Sequence, residues 1–412
     1  TDVLIFGNTE ISGGSLYVES TNASIWNSKI SGRLQAAIVN LNIHDLEKLH
    51  GMSNWNDDDV CEYTIIDNVT FTSWVDIDGT SLDFTNSSIS SGSLFIYHKF
   101  VNMTNIALVD VLNIGHSNSE IFGTSTDQAY LNNVTVSSGH LSGGVRDLRL
   151  EDVHTTYGSA TLRINKLWMS NSTLEKSSSN TAGYSIYVSD MSDYDNPSTE
   201  DIYIYNSTIR FNTTSDTGYT FLFDIDTTGD IRIIDSEINA TRYRTSTIEL
   251  KGSEVLIRNS TLWSGTRNTE SGTNCYYTYT EQTCINYGYH RHTYTYLTLR
   301  ADNLTVEDSD LKATSEMTST TTNYGAYNYW RRAHTYVDID VEYDMEVHDS
   351  LILGYVRNNG PNSQNDDAIL NYGIQLSDLT GTTAANMEIH NSTLMGKRPA
   401  GVEEYSFLTK IE

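Results

Sequence analysis

Leu167-Trp168-Met169-Ser170-Asn171-Ser172-Thr173-Leu174 reads apolar, any, apolar, any, Asn, small, any, apolar. The same pattern recurs at residues 82–89 around Asn86, 202–209 around Asn206, 255–262 around Asn259 and 387–394 around Asn391. Asp takes the pivot at Asp152, Asp235, Asp308 and Asp349, and looser copies turn on Asn8, Asn27, Asn68, Asn105 and Asn133. Two-residue alternation marks a strand with one face buried. Asn and Asp then turn the chain, because both tolerate left-handed backbone angles and bond to nearby backbone groups. The apolar residue three places on opens the next strand.

Pivots stand 18 or 19 residues apart from Asn68 to Asn86, Asn86 to Asn105, Asn133 to Asp152 and Asp152 to Asn171. That is the length of one compact coil of three short strands, and one copy per coil along the whole chain makes a solenoid. The period of two excludes helical arrays, and the unit is too short for a propeller blade. Hairpin folds would show Asn-Gly or Asp-Gly turns, which are scarce here. The expected fold is all-β: residues 1–412 as a single right-handed parallel β-helix of about fifteen coils, each adding roughly 4.8 Å. Alternation carries the pivots inward, so Asn86, Asn133, Asp152, Asn171, Asn206, Asp235, Asn259, Asp308, Asp349 and Asn391 are expected to form an inward turn ladder. Pivot spacing widens toward the C-terminus, which reads as loops leaving the solenoid at residues 263–300, 313–336 and 355–373.

The repeat resembles the right-handed parallel β-helix superfamily of pectate lyases and polygalacturonases, whose coils carry a stack of turn asparagines. The resemblance covers nearly the whole chain at the level of fold. It does not fix function, because the fold also serves adhesins, viral tailspikes and surface-layer proteins. A polygalacturonase-like hydrolase implies clustered Asp, a Gly-His-Gly segment and an Arg-Ile-Lys segment on neighbouring coils. Only echoes occur, in Asp57-Asp58-Asp59, Gly115-His116, Arg163-Ile164-Asn165-Lys166 and Asn8-Thr9-Glu10, too far apart in sequence to converge. The chain is therefore not expected to be an enzyme.

Composition narrows the rest. With a formal charge of −28, nothing here would neutralise phosphates, so nucleic acid is a poor partner. No 18-residue apolar run exists to cross a membrane, and a start at Thr1 rather than Met marks a processed or trimmed chain. Cys275 and Cys284 are close enough for a local disulfide, which implies an oxidising exterior, while Cys61 is left over and buried. Tyr276, Tyr277, Tyr289, Tyr329 and Trp330 crowd the wide-spaced region and read as a subunit contact surface, since Tyr and Trp give large contact area at low entropic cost. The acidic pairs Asp76/Asp78, Asp224/Asp226 and Asp338/Asp340 point outward at strand spacing and are candidates for calcium, with no cofactor required. His290, His292 and His334 lack the further ligand that zinc needs.

Twelve Asn-x-Ser/Thr triplets are present. Seven coincide with pivots, read as inward, which leaves Asn22, Asn102, Asn212, Asn239 and Asn303 as the expected N-glycan sites. Taken together the chain reads as an extracellular structural protein, glycosylated and polymerising with copies of itself into a surface layer, sheath or filament of archaeal type. A carbohydrate-active enzyme and a viral receptor-binding spike are the alternatives.

Overall fold

The computed structural model describes residues 3–54, 62–115, 126–156, 159–176, 184–189, 198–212, 221–242, 245–270, 275–277, 282–284, 291–319, 331–358, 369–378, 386–397 and 407–411. The protein is all-β: among these residues every assigned element is a strand. Among the described residues no helix is long and apolar enough to cross a membrane.

The chain gathers into two compact units. The first comprises Thr1–Ser177, Ser185–Ile209 and Thr227–Gly229, and the second Ser178–Tyr184, Arg210–Asp226 and Asp230–Glu412. In the first, strands pair in parallel with a strand one repeat later. Ser15–Trp26 lies beside Lys29–Asn54, Val75–Thr85 beside Leu94–Leu108, and His140–Thr155 beside Ser159–Ser170. The register puts like on like. Ile25, Ile43, Ile66, Phe84, Met103, Leu131, Leu150, Met169 and Ile204 are successive partners in one column, and all nine are buried. Each large apolar side chain so enclosed contributes about 1.5–3 kcal/mol. Where a step is longer than 19 residues, as from Met103 to Leu131, the register resumes unshifted.

The second unit repeats the arrangement. Thr245–Arg258 pairs in parallel with Arg291–Glu307, and that strand with Arg331–His348. Its column runs Ile233, Ile257, Val306, Val347 and Ile389, the first four fully buried. Much of the chain read as loop is strand. Thr261–Glu270 pairs with Asp310–Ser319, and Arg331–His348 with Ile369–Asp378. Several inward places there hold hydroxyls instead of hydrocarbon, which interrupts the apolar alternation in the sequence. Thr266, Thr295, Thr335 and Ser315 are buried and bonded to one another, with Ser315 2.9 Å from each of the other three.

All fourteen pivots adopt left-handed backbone, with φ between 43° and 59°, and Asp45 is a fifteenth that the sequence reading missed. Their direction corrects the expectation: every one is exposed. A single left-handed residue breaks the two-residue phase, so the pivot turns outward and the residue after it turns in. That inward place holds a buried serine at Ser28, Ser87, Ser172, Ser207, Ser236, Ser260, Ser309 and Ser350. Each hydroxyl donates to the carbonyl two residues back, as Ser172 does to Ser170 at 2.7 Å and Ser309 to Glu307 at 2.6 Å. Ser28, Ser87, Ser172, Ser207, Ser260, Ser309 and Ser350 also accept an N–H from the preceding repeat, as from Val69 to Ser87 at 2.9 Å, Val153 to Ser172 at 3.0 Å and Ser260 to Ser309 at 3.1 Å. The polar ladder inside the protein is therefore serine, one residue beyond the place expected.

Candidate functional site

The outward pivots form their own ladder. In the first unit Asn27 Nδ2 donates to Asn8 Oδ1 at 2.9 Å, Asn105 to Asn86 at 2.8 Å, Asn133 to Asn105 at 2.8 Å and Asn206 to Asn171 at 2.8 Å. In the second, Asn259 donates to Asp235 at 2.7 Å, and Asn391 donates to Asp349. The donor always belongs to the later repeat. This is an exposed edge of stacked carboxamides and carboxylates running through each unit.

The five strand asparagines named as glycan sites sit differently. Asn22, Asn102, Asn239 and Asn303 are half-buried on strand faces, and the Asn212 side chain lies outside the described residues. Asn102 donates to Asp83 at 3.0 Å, Asn239 to Glu237 at 3.3 Å, and Asn22 accepts from Asn40 at 3.0 Å.

On the outer face of the first unit, the register stacks Tyr130, Arg149, Trp168 and Tyr203 on successive strands. The rings of Trp168 and Tyr203 are 5.4 Å apart, Trp168 and Tyr205 5.6 Å, and Tyr203 and Tyr205 6.0 Å. The Arg149 guanidinium lies 5.1 Å from the Tyr130 ring and 5.5 Å from Trp168. Trp168 stays 37% exposed, a large ring facing water at the centre of this patch. The sequence hid it, because its members come from four separate repeats, each at an outward place of the pattern.

Asp76 and Asp78 belong to the first unit and the other acidic pairs to the second. Burial, with Asp78 adding and Arg33 opposing, holds the Asp76 carboxyl above the usual range. In the second unit Asp224 is the register partner of Glu249, and Thr298 of Asp338; alongside run Asp226, Lys251, Arg300 and Asp340. Lys251 reaches Asp226 at 3.1 Å and Arg300 reaches Asp340 at 3.7 Å. Burial pushes Asp224 up to about 7, with Glu249 and Asp226 adding and Lys251 opposing. Burial likewise raises Asp338 and Asp340. Among the described residues no group of three His, Cys, Asp or Glu is placed to hold a metal ion, so calcium has no ready-made cage in these pairs. A groove of about 370 Å³ crosses the same unit, where Arg232, Glu254, Asn303, Asp344 and Glu346 project around Leu256 and Thr305.

Cys275 and Cys284 face each other as register partners where Cys275–Tyr277 pairs antiparallel with Gln282–Cys284. Tyr276 and Tyr277 lie in that first strand, while Tyr289, Tyr329, Trp330, Cys61, Asp57-Asp58-Asp59, His116 and His290 lie outside the described residues. Strands place His292 beside Arg332 and His334 beside Tyr294. Of the polygalacturonase echoes, Asn8 holds a turn and Lys166 pairs with Glu200 at 3.6 Å, with no carboxylate cluster between them among the described residues. Set against known protein families, curated proteins and solved structures, the chain matches none.

Proposed function

We propose that this chain is an extracellular structural protein, a right-handed parallel β-helix that assembles with copies of itself into a surface layer, sheath or filament. The parallel register at steps of 18 or 19 residues, with like stacked on like, supports the β-helix. One observation carries the assembly reading: the exposed patch of Tyr130, Arg149, Trp168, Tyr203 and Tyr205. Trp, Tyr and Arg are the residues that dominate protein interfaces, where a ring leaving water contributes more than any rim contact. Electron microscopy of native material tests this, with ordered arrays or filaments expected. Trp168→Ala should fold as the wild type does and lose the assemblies. Native protein that stays monodisperse and monomeric at high concentration, with calcium and without it, would overturn the structural reading.

A carbohydrate-active enzyme is the second reading, and one observation favours it. Asp224, its carboxyl pushed up to about 7 by burial, is the register partner of Glu249 on the next strand, and strand backbones stand about 4.8 Å apart. Retaining glycosidases set an acid and a nucleophile at about 5 Å. Release of sugar from an acidic polysaccharide by the wild type, abolished in Asp224→Asn, is the result that would promote this reading.

A further inference from the structure

Ten of the fifteen left-handed turn residues are Asn and five are Asp. Seven of those ten begin an Asn-x-Ser/Thr triplet: Asn68, Asn86, Asn133, Asn171, Asn206, Asn259 and Asn391. The five Asp turns supply the comparison. Two residues after them stand Glu47, His154, Glu237, Asp310 and Leu351, never a hydroxyl. A Ser or Thr that merely opened the next strand would follow Asp as readily as Asn, because both residues make the same turn with the same φ. Away from the turns, only five of the other 26 asparagines begin such a triplet. The hydroxyl thus accompanies the carboxamide and not the fold.

Geometry agrees with the pattern. All seven turn asparagines are exposed at left-handed positions, five in bends between strands and Asn68 and Asn133 within strands, so each side chain is open to water, as an N-linked sugar requires. The carboxamide has two N–H groups and the ladder uses one, as from Asn206 to Asn171 at 2.8 Å, so a sugar can replace the other hydrogen. The strand asparagines differ in exposure and not in the amide: Asn22, Asn102, Asn239 and Asn303 are half-buried, and Asn102 and Asn239 likewise donate one N–H each, to Asp83 and Glu237.

We infer that the turn edge is a row of N-glycosylation sites, and that these seven asparagines, not the strand sites, carry the sugar. This rests on the extracellular reading of the chain, but not on its assembly. The transfer joins Nδ2 to C1 of a saccharide carried on a polyprenyl diphosphate. The C1–O bond breaks, the diphosphate leaves with the electron pair, and Nδ2 gives one proton to a base of the transferase.

The test is glycopeptide mass spectrometry on protein purified from its native source. Sugar is expected on peptides containing Asn171, Asn206 and Asn259, and absent from those with Asn22, Asn102 and Asn239. In the same host Thr173→Val should strip the sugar from the Asn171 peptide while the melting temperature holds, and Thr173→Ser should keep it. Unmodified turn peptides, or sugar confined to the strand sites, would overturn the inference. Native assemblies whose turn peptides carry no sugar would sink the glycan row and leave the structural reading standing. Glycosylated protein that never assembles would do the reverse.

Discussion

One left-handed residue per repeat decides which polar group is buried. Asn171 and Ser172 are adjacent, yet Asn171 faces water and Ser172 is 1% exposed. Losing the serine hydroxyl leaves the Val153 N–H without its 3.0 Å acceptor in the interior, and an orphaned buried donor costs about 1–3 kcal/mol. Ser172→Ala should lower stability by that amount in urea titrations. Asn171→Gly should change it by a few tenths of a kcal/mol at most, since glycine takes the same φ without strain. Equal effects would mean the two ladders have been confused. Asp224 is the second residue with a measurable signature. Its carboxyl titrates near 7 in the folded protein against 3.8 when unfolded. Below about pH 4 both states hold the proton; between 4 and 7 the folded state keeps one that the unfolded state releases, so stability falls as pH rises through that window. Asp224→Asn should flatten this part of the melting-temperature profile. An unchanged slope would show that the burial of Asp224, with Glu249 and Asp226 beside it, is relieved in solution.

At the scale of elements, the sequence was legible wherever the inward places were apolar. Leu167, Met169 and Leu174 are buried as the alternation requires, and all fourteen pivots were recognisable as turns. Two things were not legible. Which side the pivot faces depends on a backbone angle, and a period of two extrapolated across it gives the wrong answer. Strands whose buried residues are Ser264, Thr266, Ser315 and Thr335 look like loop, because their stability comes from hydroxyls bonded to each other and not from an apolar stripe. The fifteenth turn at Asp45 escaped for a related reason: Lys48 stands where the motif wants an apolar residue. The patch around Trp168 could not be read at all, since only the register reveals which outward residues of separate repeats are neighbours. The short antiparallel pair at Cys275 and Cys284 yields its own prediction. Directly opposed cysteines on antiparallel strands are within disulfide reach, so alkylation of the native, unreduced protein should label one thiol per chain, in the Cys61 peptide. Three labelled cysteines would remove the argument for an oxidising exterior.

At the scale of the molecule, each unit is built by repetition along one direction, and most stabilising contacts join a residue to its counterpart one repeat away. Where repeats pair in this way, stability is approximately a sum of nearest-neighbour terms. Longer steps, such as the one from Met103 to Leu131, are tolerated because the register on either side is untouched. That tolerance has a limit the register itself defines. Phe84 pairs with Met103 and Met103 with Leu131, each meeting an equivalent residue. Excising residues 87–105 would bring Phe84 against Leu131 and set Ile106 directly after Asn86, where Ser87 now stands. Such a variant should fold with an unchanged circular-dichroism spectrum per residue, whereas excising 87–96 should give insoluble protein.

The gene can therefore lose or duplicate a segment of one repeat without meeting a folding barrier, while a cut of half that length is lethal to the product. The paired strands of this lineage should be gained and lost in whole repeats, as in a tandem array, while the chain between them varies freely in length, with the turn asparagines as the natural points of unequal crossing-over.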